Sequence, residues 1–314
     1  MPQEIIINGQ RIGLGEHVLT RLNISRLPSG TVIDIPVHVY RGPEDGPVLL
    51  LMAGMHGDEV NGIEIVRRIL RRKKIHPQRG TVIAIPVLNI YGFLNFSREV
   101  PDGKDVNRSF PGSATGSLAS RVAYKFVKEI LPWVEYGIDF HTGGASRSNF
   151  PQIRCVLGQP NSEKLALAFG APFVINATYR PKSLRKEAAK VGKSIVVYEC
   201  GESLRFDENG IKLALDGILR VMQELQMQTI ELPAAKGPIV CSKTTWVRAK
   251  VAGLFRYTIA NGQFIQKNEV IGSITDPYAT MSVRIRSPKA GYIIGINQMP
   301  VVNQGDALLH VAIA

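Results

Sequence analysis

The chain has 314 residues, 45% apolar and 20% charged, which excludes a disordered polymer and leaves enough apolar surface for a large core. Its three cysteines, an odd number with no Cys-x-x-Cys pair, argue against a disulfide framework and a cysteine-based zinc finger, and fit a reducing, cytoplasmic setting. The net charge of +12 invites a nucleic-acid partner. However, the basic residues gather at Arg67, Arg68, Arg71, Arg72, Lys73, Lys74 and Arg79 with no interleaved aromatics, as on a solvated helix face. No nucleic-acid partner is expected, and the positive field suits the steering of small anions into a cleft.

The N-terminal stretch MPQEIIINGQRIG carries an early Glu and no long apolar core, so it does not read as a signal peptide. IIING followed by QRIGLG reads as a hairpin, and residues 31–40 alternate at period two as a strand. A turn is expected at 42–47, then a buried strand at 47–54. The apolar run Val48–Met52 is far too short to span a bilayer, so no membrane partner is expected. Val60, Ile63, Val66, Ile69 and Leu70 recur at helical spacing, with Asp58 as the expected cap. A second buried strand is expected at 81–89. Residues 89–117 show no period and are rich in Asn, Gly, Pro and Ser; a loop of that length inside a compact domain is usually functional. Helices are expected at 118–132, 162–169 and 208–227, and strands at 136–141, 155–158, 173–178 and 194–201. Strands alternating with helices predict an α/β fold with a mostly parallel central sheet and helices on both faces.

The composition shifts near Leu232-Pro233. From there the chain is strand-like, with turn signals every 8–12 residues and no helix of normal length. The expected domains are 1–232, catalytic, and 233–314, a small all-β module. The phrases IANGQFIQKNEVIGSI and IRSPKAGYIIGINQMPVVNQGDALLHV resemble the barrel-sandwich fold of biotinyl and lipoyl carrier domains. Lys289 lacks the flanking residues of a modified carrier lysine, so the module reads as structural.

His56 and Glu59 lie just past the end of the 47–54 strand, in MHGDE, and His141 ends the next strongly apolar strand, in GIDFHTGG. Open α/β sheets hold their ligands outside the carboxyl ends of the strands. Two nitrogens, one oxygen and an open fourth position make a catalytic zinc shell, although the same set could hold other divalent metals. Asp139, two residues before His141, points the same way and could fix the tautomer of that imidazole. In the long loop, DVNRSFPG places the Asn107 amide beside the Arg108 guanidinium, a group suited to carboxylate binding, and Arg98 is a second cation there. Glu199, in VVYECGE, ends another apolar strand and could move a proton near a metal; Glu202 is its rival.

Together GMHGDE (54–59), DVNRSFPG (105–112), IDFHTGG (138–144) and VYECGE (197–202) resemble, in order and spacing, the succinylglutamate desuccinylase/aspartoacylase family, relatives of the zinc carboxypeptidases. The resemblance implies that His56, Glu59 and His141 bind one zinc ion per chain, and that Glu199 is the general acid/base. It implies that Asn107 and Arg108 grip a substrate carboxylate and that Arg98 polarises the scissile carbonyl. Residues 142–154 follow the third ligand and are expected to line the pocket, with Arg147, Asn149 and Arg154 as candidates to which the resemblance assigns no role. The expected function is zinc-dependent hydrolysis of the amide bond of a small, anionic N-acyl amino acid or N-acyl amine. A homo-oligomer is compatible with this reading. The alternatives are a zinc carboxypeptidase acting on short peptides and a non-catalytic ligand-binding protein.

Overall fold

The structure, a computed structural model, describes residues 4–26, 29–233 and 235–314. The expected hairpin is β1 (Ile5–Ile7) paired with β2 (Gln10–Ile12). Its Asn8-Gly9 turn has both residues at positive φ, as a two-residue hairpin loop requires. The long antiparallel pair β3 (His17–Arg26) and β4 (Val32–Arg41) follows, then β5 (Glu44–Met52). The turn expected at 42–47 is therefore shorter than its Gly and Pro residues suggest. Val48–Met52 is buried throughout because both faces are covered: Leu49 and Leu51 enter one core, Val48, Leu50 and Met52 the other.

Helix α1 (Val60–Leu70) buries Ile65, Val66 and Ile69. Its N-cap position falls on Glu59 rather than Asp58, and neither side chain caps it, because the Glu59 carboxylate is engaged by two histidines. Strand β6 (Arg79–Ile85) precedes the long loop, which contains a short helix, α2 (Ile90–Leu94), capped by Asn89. Next come α3 (Leu118–Glu129), β7 (Tyr136–Gly143), β8 (Arg147–Cys155), α4 (Pro160–Phe169), β9 (Phe173–Asn176), α5 (Leu184–Lys190), β10 (Ser194–Glu202) and α6 (Glu208–Glu224).

The centre of the sheet, β6-β5-β7-β10, is parallel. On one side β4 and β3 continue it antiparallel, and on the other β8 runs antiparallel to β10. The sheet is thus mixed, which corrects the expectation of a mostly parallel one. The helices that alternate with the central strands supply the crossovers parallel pairing needs, whereas the flanking strands are joined by tight turns that reverse direction. Helices do cover both faces: α1, α4 and α6 pack on the Leu49 side, α3 and α5 on the other.

The remaining strands are β11 (Ile239–Cys241), β12 (Lys243–Arg248), β13 (Gly253–Tyr257), β14 (Phe264–Ile265), β15 (Val270–Thr275), β16 (Ser282–Arg286), β17 (Gly291–Asn297), β18 (Val301–Val302) and β19 (Ala307–Ile313). Among the described residues no helix follows α6. Strands β16-β15-β13-β18 form a separate sheet, and a core of its own includes Phe255, Ile274, Ile293 and Leu309. The other layer, β12-β19-β17, is continuous with the central sheet, because β17 pairs with β8 at Gly295–Asn149, Ile296–Ser148 and Asn297–Arg147. The all-β part therefore docks on the strand that follows His141. Among the described residues no helix is long and apolar enough to cross a membrane.

Candidate active site

The site forms where the parallel strands end. After β5 the chain turns through Gly54, at φ +61, and His56 to Glu59 at the head of α1. This loop lies directly on the backbone of α2: a Cβ on Gly57 would stand 1.9 Å from the Gly92 carbonyl carbon. No larger residue fits there without moving the segment that carries both His56 and Glu59.

Strand β7 brings His141 to the same point. His56 Nδ1 lies 2.7 Å from Glu59 Oε1, His141 Nδ1 lies 2.8 Å from Glu59 Oε2, and the two Nδ1 atoms are 3.2 Å apart. All three side chains are buried. The two ring nitrogens share the Glu59 carboxylate, and one ligand atom from each of the three residues lies within 4.8 Å of the others. The set of two imidazole nitrogens and one carboxylate thus fits a divalent ion such as zinc.

The buried charges shift one another strongly. Burial would raise the Glu59 carboxyl, but His56 and His141 hold it well below the usual carboxylate range. Burial would lower the His141 imidazole, but Asp139 and Glu59 push it well above its ordinary value. His56 moves upward against burial for the same reason, with Glu59 and Asp105 beside it. The outer nitrogens are also faced by carboxylates. His141 Nε2 stands 2.9 Å from Asp139 Oδ2, at ion-pair distance but outside hydrogen-bond geometry, and His56 Nε2 is 3.2 Å from Asp105 Oδ1. Such outer carboxylates orient ligand imidazoles.

Arg98 reaches this centre. Its Nη1 is 3.1 Å from His56 Nδ1 and 3.3 Å from Glu59 Oε1, while Nη2 donates to Asp105 Oδ2 at 2.8 Å. Asp105 also accepts from the Asn107 backbone N–H, so it shapes the turn bearing Asn107 and Arg108. Asn107 Oδ1 accepts from the Leu184 N–H at the head of α5, which leaves its NH2 as the free end of the amide. Arg108 is exposed and donates to the Asn107 carbonyl; burial, with Arg180 and Arg98 as like charges, lowers its guanidinium against the opposing pull of Asp105.

Glu199 stands beside His141 in parallel register, so both side chains take the same face. Its rival Glu202 lies past a bulge, opposite Gly143. Glu199 accepts a hydrogen bond from Asn149 Nδ2 at 2.7 Å and pairs with Arg154 at 3.3 Å. Arg147 is half-buried at the start of β8, and Arg185 is packed over Tyr179 with its Nη2 on the Ala177 carbonyl. Sequence reasoning missed Asp105, Arg180 and Arg185. Asp105 had a signal, since it opens the DVNRSFPG motif; the two arginines had none beyond their charge.

A family model of the succinylglutamate desuccinylase/aspartoacylase catalytic domain matches residues 45–225. The chain belongs to this family. In sequence the chain is similar to N-alpha-acetyl-L-2,4-diaminobutyric acid deacetylase of Halomonas elongata, 30% identical over 322 residues, covering 95% of this chain and 91% of that one. Among solved structures, the product-bound ectoine utilization protein EutE (DoeB) of Ruegeria pomeroyi superposes with a TM-score of 0.84 at 22% identity, over 95% of each chain. A succinylglutamate desuccinylase/aspartoacylase of Rhodobacter sphaeroides gives a TM-score of 0.82 at 26% identity, also over 95% of each chain.

Proposed function

We propose that the protein is a zinc-dependent deacylase that hydrolyses the amide bond of a small N-acyl amino acid or N-acyl amine. The observation that carries this reading is the convergence of His56, Glu59 and His141 on one point with Glu199 on the next strand. Membership of the family, together with the 30% identity to an N-alpha-acetyl-L-2,4-diaminobutyric acid deacetylase, supports the choice of bond.

When bound, zinc supplies Lewis-acid polarisation and a water of lowered pKa. Glu199 accepts the proton from the attacking water and later delivers it to the departing amine. Its hydrogen bond from Asn149 and its pairing with Arg154 orient the carboxylate for that transfer. Arg98 stays tied to Asp105 through Nη2 while Nη1 faces the donor set, where it stabilises the developing oxyanion. Loss of one such donor costs roughly 100- to 1000-fold in rate. Arg108 and the free Asn107 amide hold the substrate carboxylate, and that positioning supplies much of the acceleration.

The docking of β17 on β8, beside Asn149, supports small substrates over long peptides, because the all-β part forms a side of the cleft. The residues from 233 on are thus proposed to act as a structural second domain that closes the site. The test is amine release from N-acetyl, N-succinyl and N-formyl amino acids and short peptides, with and without chelator. Chelator-sensitive hydrolysis of one N-acyl class is the expected result. Cleavage of peptides alone, or turnover that ignores the chelator, would overturn the proposal.

A further inference from the structure

Strand β10 is irregular immediately after Glu199. Against β7 the register runs to Glu199–His141 and resumes at Glu202–Gly143. Against β8 it runs to Glu199–Gln152 and resumes at Gly201–Asn149. Cys200 is thus the extra residue of a bulge, matched to no residue of either neighbour. A bulge re-aims the side chains around it and leaves its extra residue outside the ladder. Cys200 is buried, so its carbonyl needs a partner from another element.

That partner is the side chain of Asn61, in the first turn of α1 and two residues after Glu59. Asn61 is buried; its Nδ2 donates to the Cys200 carbonyl at 3.1 Å, and its Oδ1 accepts from the Asp207 N–H at 2.9 Å. Asp207 in turn caps α6 by accepting from the Gly210 N–H at 2.9 Å. The amide has a donor end and an acceptor end, and both are engaged, so its orientation is fixed. Gly201 makes room for it, because a Cβ there would collide with Asn61 Nδ2. Tyr198 and Cys200 meanwhile rest on α6: Tyr198 Oη donates to the Gly210 carbonyl at 2.9 Å, and a Cβ on Gly210 would collide with Cys200 Sγ.

The first turn of α1 therefore presents Glu59 to the two histidines and Asn61 to the bulge that follows Glu199. Glu59 is held from β7 as well, since its Oε2 accepts from the Thr142 N–H at 3.1 Å. Asn61 ties α1 to β10 at the residue next to Glu199, and α6 to both.

We propose that Asn61 is a positioning residue: by pinning the bulge it sets where the Glu199 carboxylate stands relative to His56, Glu59 and His141. The proposal rests on the deacylase reading for the role of Glu199 in proton transfer. Asn61 acts through Glu199, so its loss lowers kcat and spares KM and the metal.

The test has one readout without turnover and one with it. In the full, zinc-loaded chain the NMR signal of the Asn149 side-chain amide reports its hydrogen bond to Glu199. Asn61→Ala should move that signal. Ile69→Val, a change in a buried residue about two turns further along α1, should leave it in place. With an N-acyl amino acid as substrate, Asn61→Ala should lower kcat roughly 10- to 100-fold, the scale of a misplaced reacting group, with KM and zinc content unchanged. In a Glu199→Gln background the same substitution should cost nothing further, because the proton carrier it positions is already gone. Gly201→Ala drives the amide off the Cys200 carbonyl, should give the same pattern, and serves if Asn61→Ala fails to fold. An unmoved Asn149 signal, or a kcat loss that persists in full in the Glu199→Gln background, would overturn the positioning role. Absence of any hydrolysis by wild type would remove the deacylase reading alone, and the Asn149 signal would then decide whether Asn61 holds Glu199 in place.

Discussion

Replacing His310 by Phe should flatten the acid limb of the protein's stability. The folded imidazole is held down to about 3, first by burial and then by Arg154 and Arg147, whereas an unfolded histidine titrates near 6.5. Below 6.5 the unfolded chain therefore binds a proton that the folded chain refuses. The stabilisation is fully present above 6.5 and is lost progressively as the pH falls toward 3. At pH 5 the gap of roughly 1.5 pH units amounts to about 2 kcal/mol, a large share of a total of about 5–15 kcal/mol. Phe keeps the ring and the stack on Trp246 but cannot take the proton. Urea unfolding of both proteins at pH 7 and pH 5 isolates the effect, since groups common to both cancel. Wild type should lose about 2 kcal/mol more than the variant over this interval. Identical pH dependence in the two proteins would show that His310 titrates as an open histidine and would refute the burial argument.

Three further outcomes are expected. Glu199→Gln keeps the acceptor for Asn149 but not the proton carrier, so turnover should fall about 100-fold or more with zinc content unchanged; unaltered turnover would refute its role. His56→Ala removes one of three converging ligands, and elemental analysis should find the metal largely lost; full occupancy would sink the ligand assignment. Gly57→Ala drives a methyl into the Gly92 backbone, and denaturant unfolding should show a loss of about 1–3 kcal/mol together with weaker metal retention. Wild-type stability in that variant would mean the loop over α2 yields freely.

The proposed metal ligands and Glu199 are legible in the sequence because apolar strands mark their own ends. Val48–Met52, Ile138–Phe140 and Ile195–Tyr198 are each buried, and the polar residue that follows falls at the site. Strand β8 is not legible in that way. Its buried Asn149 and Gln152 break the apolar pattern, and each donates to a partner far along the chain, Glu199 and the Ile294 carbonyl. Helix α5 has seven residues, too few to show a period, and its first turn depends on Ser183 and on Asn107 from the distant loop. The direction of the flanking strands is hidden for a similar reason: buried parallel and antiparallel strands have the same side-chain alternation, and only the connection length separates them.

The long loop owes its order to one carboxylate. Asp105 gives Oδ1 to His56 and to the Asn107 N–H, and Oδ2 to Arg98, while its backbone carbonyl accepts from the Ser109 hydroxyl. The carboxyl is held far below its ordinary range, against burial, by His56 and Arg98, so it stays charged in every one of these roles. The proposed ligand His56, Arg98 beside it, and the Asn107-Arg108 turn are therefore all tied to this one residue. This accounts for the spacing of the motif. Asn107 must follow two residues after Asp105 for its N–H to reach the carboxylate, and Arg108 then follows in the same turn with its side chain exposed. Arg98 has no such local constraint, because it meets Asp105 across the loop through a long side chain. Its distance from the motif is consequently set by how the loop folds over Asn89 and α2, not by the motif itself.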